Sequence, residues 1–259
     1  MISNEGITDN LYGLYNGLAE QGLVSSGRAG GFEFVSHEGF AWPNMAYRGK
    51  RADSPAGRQE VRVLKESVDV HRCPRLVVLD LEELTGEMQE ALAEERFVAA
   101  TEWVNMALPV GASTSGGGGR LECRVIDTDD PGEWGQWASI VSNVLFKGEP
   151  MDPVLFRHPA VKQQFMLMTG YADAVPVATC LLYLAENPGL YMVATLPSYQ
   201  GRGFGRQLVE HAQAEAAAKG YESVVLHSTK AGLDFYSKLG YRAFGKLILY
   251  FSMPVQKFS

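Results

Sequence analysis

Between Leu190 and Arg206 the chain reads Leu-Tyr-Met-Val-Ala-Thr-Leu-Pro-Ser-Tyr-Gln-Gly-Arg-Gly-Phe-Gly-Arg. An apolar run of strand type feeds a short loop holding Gly201, Gly203 and Gly205, and a helical pattern begins inside that loop. Glycines let a backbone take positive φ and approach a ligand closely. The first N–H groups of a helix are unsatisfied donors at its positive end. Together these features suit a phosphate or pyrophosphate. The spacing excludes two common uses. A dinucleotide fingerprint needs glycine where Arg206 stands, and a Walker loop needs Lys-Ser/Thr after the last glycine. On the glycines alone, a plain turn capping a strand–helix junction stays open.

The flanking residues say more. Gln200-x-x-Gly203-x-Gly205 resembles the acetyl-CoA signature of the GCN5-related N-acetyltransferases (GNAT), Gln/Arg-x-x-Gly-x-Gly/Ala. The preceding strand, ending Ala-Thr-Leu-Pro at 194–197, is similar to the strand and proline that lead into that loop in the family. About 30 residues on, Gly232-Leu-Asp-Phe-Tyr236-Ser-Lys-Leu-Gly240-Tyr resembles the family's Ala-x-x-x-Tyr-x-Lys-Leu-Gly-Phe segment. The resemblance covers most of residues 120–259, with both motifs in order and at the right separation. Two positions depart from it: Thr229 stands where many members have an asparagine that helps position the cofactor, and Gly232 stands for alanine.

The resemblance implies direct transfer of an acetyl group from acetyl-CoA to a primary amine, with no metal and no covalent enzyme intermediate. The protein must then align two substrates, stabilise an oxyanion, take a proton from the amine and protonate the departing sulfur. Backbone groups of Val193, Ala194 and Thr195 are expected to pair with the pantetheine arm like an added strand. Those from Gly201 through Arg202, Gly203, Phe204 and Gly205 to Arg206 are expected to hold the pyrophosphate, with Gln200 and Arg206 close by and Thr229 in the asparagine's place. Tyr236 is the candidate general acid and a cofactor contact; a helix tyrosine merely packed beside Phe235 is the alternative. For the base, the strand from Leu190 to Leu196 offers no carboxylate. His227, at the end of the next strand, is the candidate, against a structural histidine or a water chain.

These residues need elements to place them. Residues 163–170 and 175–184 read as adjacent antiparallel strands, and Asn187-Pro188-Gly189 turns into the strand at 190–196. A helix follows the glycines to Lys219, then a strand at 223–227, a short helix at 231–239 and a last strand at about 244–253. Upstream, Asp127 to Lys147 reads as a strand end, a Pro-Gly turn and a helix whose Trp134, Trp137, Ile140 and Val141 mark a core face. The implied fold is α/β (α+β), a mixed, mostly antiparallel GNAT-type sheet flanked by helices. Before it, residues 1–110 read as a smaller α/β domain: a helix from Ile7 to Leu23, strands near 32–35, 75–80 and 97–108, and a helix at about 82–95. This half shows no nucleotide loop or nucleophile–base pair. Its element order and Trp42-Pro43-Asn44 resemble, at a coarser level, the N-terminal region of two-part bacterial acetyltransferases, and a degenerate GNAT-like half is one reading of it. Residues 111–119, with Ser and four consecutive glycines, have linker composition.

Composition narrows the class. The 259 residues are 46% apolar and 20% charged, with Lys plus Arg 23 against Asp plus Glu 30. That is ordinary for a globular protein and unpromising for nucleic acid. All of the −7 net charge lies before residue 120, and such an acidic half would draw a cationic amine. The opening MISNEGITDN lacks the pattern of a secretory signal. The apolar run at 175–185 is far short of the ~20 residues that span a bilayer. Cys73, Cys123 and Cys180 are few and widely spaced, as reduced cytoplasmic thiols are. His37, His71, His158 and His211 show no metal-ligand spacing. The expectation is a cytoplasmic N-acetyltransferase acting on a small-molecule or protein amine, the alternatives being a non-catalytic acyl-CoA sensor or assembly module and an enzyme for acyl groups longer than acetyl. A homodimer is compatible if the C-terminal strand exposes an edge.

Overall fold

Ser3 opens the first helix by accepting the Gly6 N–H on its hydroxyl at 3.1 Å, and α1 (Asn4–Glu20) then buries Ile7, Leu11, Leu14, Tyr15 and Leu18 along one face. This is the first element of a computed structural model that describes residues 2–49, 57–109 and 121–254. The Gly/Ser-rich stretch at 111–119 lies outside the described residues. After α1 come β1 (Ser25–Ala29), β2 (Phe32–Ser36), β3 (Met45–Tyr47), α2 (Arg58–Asp69), β4 (Leu76–Asp80), α3 (Gly86–Glu94) and β5 (Phe97–Pro109). The helix expected over 82–95 begins later, because two local caps divide it. Asp80 accepts the Glu82 N–H and holds Leu81–Glu83 in a single 3₁₀ turn, and the Thr85 hydroxyl accepts from Met88 N–H to start α3.

The second half runs β6 (Leu121–Val125), α4 (Pro131–Leu145), α5 (Pro153–Arg157), α6 (Pro159–Gln164), β7 (Phe165–Ala172), β8 (Val175–Tyr183), β9 (Gly189–Thr195), α7 (Phe204–Ala218), β10 (Ser223–Thr229), α8 (Leu233–Lys238) and β11 (Arg242–Ser252). Asp130 caps α4 through the Gly132 and Glu133 N–H groups, with Pro131 in the first turn. The α4 face buries Trp134 and Trp137, as the sequence predicts, and Trp137 Nε1 donates to the Cys180 carbonyl at 3.2 Å.

The eleven strands among the described residues form one sheet in the order β1-β2-β3-β4-β11-β5-β10-β9-β8-β7-β6. The helix-flanked mixed α/β architecture is the one the sequence implies. Each half contributes one parallel pair, β3 with β4 and β9 with β10, and every other pairing is antiparallel. The last strand of each half crosses to the other. β5 lies against β10 over Ser223–Thr229, and β11 lies against β4 over Leu247–Phe251, while β5 and β11 pair with each other. The C-terminal strand is therefore an interior strand, fifth of the eleven, and not an exposed edge on which a dimer could form. The edges are β1 and β6.

The halves are also tied by contacts outside the sheet. Trp42 stacks on Phe156 with ring centroids 5.8 Å apart, His37 Nε2 lies 2.7 Å from Asp152 Oδ2, and Ala41 N–H donates to the Pro150 carbonyl. One apolar core, including Leu11, Tyr15, Met45, Trp137, Phe156 and Leu181, runs through both.

Candidate active site

β9 and β10 are paired at only two positions, Gly189 with Val225 and Leu190 with Leu226, and then diverge. On its other side β9 carries a bulge, where Met192 and Val193 face a single residue of β8, Cys180, and Met192 takes φ 51°. The fork and the bulge open a cavity of about 880 Å³ between the two halves.

One end of the cavity is the cofactor-type cradle. Gly201 and Gly203 both adopt left-handed backbone, φ 74° and 80°, and Gly203 is the N-cap of α7. That conformation costs any residue with a Cβ about 1–2 kcal/mol, and it turns the loop so that the first turn of a 15-residue helix faces the fork. Gly205 is needed for closeness instead, since a Cβ there would stand 3.2 Å from Thr195 Oγ1. Gln200 braces the loop by donating from Nε2 to the Thr195 carbonyl at 3.0 Å.

The residues singled out by sequence gather here. Val193, Ala194, Thr195, Gln200, Gly201, Gly203, Phe204, Gly205, Arg206, His227, Thr229 and Tyr236 all line the cavity. Arg202 is not among them; its guanidinium sits 5.1 Å over the Tyr199 ring and donates to the Ser198 carbonyl. Arg206 donates through Nε to Glu210 one turn along α7. Thr229 Oγ1 accepts from Gly232 N–H at 3.3 Å, so its side chain serves the entry to α8.

Tyr236 packs edge-on against Phe235 and Tyr241, with centroids at 4.9 and 5.6 Å. Gly232 makes room for it, because a Cβ there would meet Tyr236 Cε2 at 3.2 Å and Ser228 Oγ at 3.0 Å. Burial, reinforced by Tyr241 and Cys180, pushes the Tyr236 phenol above its ordinary value and keeps it protonated at neutral pH.

His227 is held by residues that sequence reading passed over. Asn105, fully buried in β5, donates its amide to Asn4 Oδ1 at 2.7 Å and Thr8 Oγ1 at 2.9 Å. Thr8 in turn donates to Asp80 at 2.8 Å. The polarity of this chain leaves Asn105 Oδ1 as an acceptor, so His227 Nδ1 carries the proton and donates to it at 2.7 Å. Nε2 is the bare nitrogen, closed to solvent and without a hydrogen bond among the described residues. The ring lies among Trp103 and Tyr191, at 6.4 and 6.0 Å, and burial lowers its pKa from 6.5 to about 3. The one signal for Asn105 was a polar side chain inside the otherwise apolar run from Trp103 to Leu108 of β5.

That depressed value predicts acid sensitivity. The unfolded chain binds a proton here below about 6.5 and the folded protein refuses it, so stability is complete above that pH and is lost as pH falls toward 3. Because the ring is partly exposed to the cavity, the expected loss between pH 6.5 and 5 is about 1 kcal/mol, below the full linkage value. Urea unfolding of the wild type and His227→Gln at pH 7 and pH 5 checks this; an equal acid loss in both would remove His227 as the source.

The far end of the cavity is built by the N-terminal half. Leu11, Leu14 and Tyr15 come from α1, Trp42 and Met45 from the turn and β3, and Trp103 from β5. Trp42 Nε1 donates to the Tyr15 hydroxyl at 3.2 Å, which fixes two of these rings. The acidic surface of that half does not reach the cavity: among the described residues lining it there is no Asp, Glu or Lys. No group of three or more His, Cys, Asp or Glu among the described residues is placed to hold a metal ion. No described helix is long and apolar enough to cross a membrane.

The family model described as "Acetyltransferase (GNAT) domain" matches residues 167–243, from β7 through the glycine loop to the start of β11. The chain carries a GNAT domain. Its forked strands, glycine loop and Tyr236 all fall within the matched span. Comparison with curated proteins gives no match. Among solved structures, the whole chain is similar to a GCN5-related N-acetyltransferase from Kribbella flavida, at 15% identity and a TM-score of 0.71, covering 99% of this chain and 98% of that one. A GCN5-related N-acetyltransferase from Sphaerobacter thermophilus aligns at 13% identity and 0.61, covering 87% and 79%. A tandem GNAT protein from the clavulanic acid biosynthesis pathway aligns at 11% and 0.57, covering 86% and 78%. At these identities the likeness is one of fold, and it extends over both halves. A two-part layout with the GNAT domain second is consistent with it.

Proposed function

We propose that the protein is an acetyl-CoA-dependent N-acetyltransferase that passes the acetyl group directly to a primary amine. The observation that carries this reading is the coincidence, in one cavity, of a strand fork, a left-handed glycine cradle at a helix N-terminus and the buried Tyr236. The cradle fits an anionic, extended ligand. Open backbone of β9 at Val193–Thr195 offers a partner for the pantetheine amides, and the first N–H groups of α7 meet the pyrophosphate. When bound, acetyl-CoA supplies an activated thioester carbonyl. The bulged residues Met192 and Val193 lie where main-chain groups leave the β8–β9 ladder, and such groups are suited to charge developing on that oxygen. Tyr236, protonated and on the cavity wall, gives its proton to the departing sulfur, and the proton that the attacking nitrogen loses passes through solvent and restores the phenol. His227 enters as a hydrogen-bond acceptor for the amine; a ring with a pKa of about 3 is too weak a base to strip an ammonium ion. The three unpaired thiols, two of them buried, support a cytoplasmic setting.

Calorimetric titration with acetyl-CoA and CoA tests the reading. Micromolar binding of both is expected. Absence of binding to the folded protein overturns it.

A further inference from the structure

The two ends of the cavity differ in chemistry, and the difference selects a substrate. The cradle end carries Arg206, the single charged residue among the described residues lining the cavity, and it is paired with Glu210. The other end is walled by aromatic rings, Tyr15, Trp42, Trp103 and Tyr191, with Met45 between elements. A compact ammonium ion taken into such a space gives up its water with no carboxylate to replace it, and cation–π attraction by the rings returns only part of that hydration. An aromatic body taken there gives up little hydration, and rings stack favourably on Trp and Tyr faces. Among the buried polar side-chain atoms of the described lining, one has no hydrogen-bond partner. His227 Nε2 is buried, has no hydrogen-bond partner among the described residues, and is fixed by Asn105 as an acceptor with no proton to give. A buried acceptor left empty is costly, so the atom calls for a ligand N–H or O–H. A methylene chain would leave it unsatisfied.

Resting on the transferase reading, we propose that the acceptor is an arylamine: an amine borne directly on an aromatic ring, neutral at physiological pH, whose ring enters the Trp42–Trp103 end of the cavity while its N–H donates to His227 Nε2. Alkylamines are ammonium ions at that pH and must shed a proton before they can attack; an arylamine arrives with its lone pair free. A site with no carboxylate and a histidine held deprotonated has the acceptor chemistry for the second kind and not the first.

The isomers 4-ethylaniline and 2-phenylethylamine share one formula and one ring and differ in where the nitrogen sits. The full chain, first saturated with CoA, is titrated with each at pH 7.5, and binding is followed by calorimetry and by quenching of tryptophan fluorescence. We expect 4-ethylaniline to bind at least tenfold more tightly than 2-phenylethylamine. His227→Phe should weaken it about tenfold while CoA affinity stays unchanged. Trp103→Leu, away from the hydrogen bond, should weaken it several-fold and serves if the histidine variant does not fold. Equal or tighter binding of 2-phenylethylamine, or saturable binding of spermidine in the same cavity, overturns the proposal and leaves the transferase reading intact. If neither isomer binds and octanoyl-CoA binds far more tightly than acetyl-CoA, the aromatic end holds an acyl chain and the proposal is wrong. Failure of CoA itself to bind removes the transferase reading, and this inference with it.

Discussion

Gly203→Glu should raise the dissociation constant for CoA by about a hundredfold or more, equivalent to ~2.7 kcal/mol. Two effects add. Gly203 is the N-cap of α7 at φ 80°, ψ 3°, so any residue with a Cβ pays for left-handed backbone or reshapes the loop. A Cβ there meets nothing closer than Gln207 Nε2 at 3.8 Å, so a glutamate side chain can be housed and the fold is expected to persist. What it brings is a carboxylate beside the N–H groups that would otherwise receive pyrophosphate, where it competes for the donors and repels the incoming anion. Gly203→Asn separates the two causes. Asparagine tolerates the left-handed region and carries no charge, so its loss should stay below about tenfold. Calorimetry on both variants, with circular dichroism to confirm folding, decides the matter. Native affinity in the glutamate variant would place the pyrophosphate elsewhere.

Removing one oxygen at Tyr236 should have the opposite profile. In Tyr236→Phe, turnover should fall by about 10²–10³-fold with CoA affinity changed by less than about twofold, the range expected for loss of a general acid. The ring's packing against Phe235 and Tyr241 survives the change, and the space opened by Gly232 is still filled, so a merely structural tyrosine would barely register. A protein that senses acyl-CoA without reacting would also be indifferent. The reading to make is the split between kcat and KM: a drop in kcat alone assigns the proton to Tyr236, and a rise in KM alone makes the residue a cofactor contact. An unchanged kcat would return the acid role to solvent.

The acid sensitivity expected at His227 and the choice between two isomeric amines depend on the other half of the chain. Nothing in the spacing around His227 reveals its partner, because Asn105 is 122 residues away and is brought to it by the pairing of β10 with β5. The same holds for Asp80 and Thr8 behind Asn105. A histidine at a strand end has two plain readings from sequence, base or structural, and the tertiary network selects a third: a neutral, oriented acceptor.

The cofactor-type cradle was legible because its determinants are local. A strand, a proline, three glycines and a helix start within 17 residues obey backbone sterics and helix-end polarity whatever surrounds them, and Leu190–Arg206 folds as that pattern requires. The strands at 165–172 and 175–183, the tryptophan face of α4 and the buried helix α1 were legible for the same reason, each carried by a period of two or of 3.6 residues. The helices α2, α5 and α6 were missed: α2 because its apolar face is only Val61, Leu64 and Val68 within a run dense in charge, and α5 and α6 because five and six residues are too few for a period to show. The place of β11 was misjudged because a strand's sequence records which faces are buried and not which neighbour its N–H groups find. Only the assembled sheet, with the last strand of each half passed to the other, sets Tyr15, Trp42 and Trp103 opposite the glycine loop. The cradle follows from local sequence, since its physics lies within one strand, loop and helix. The aromatic end was decided by tertiary structure, since its walls come from different elements and none has meaning until the sheet closes between them.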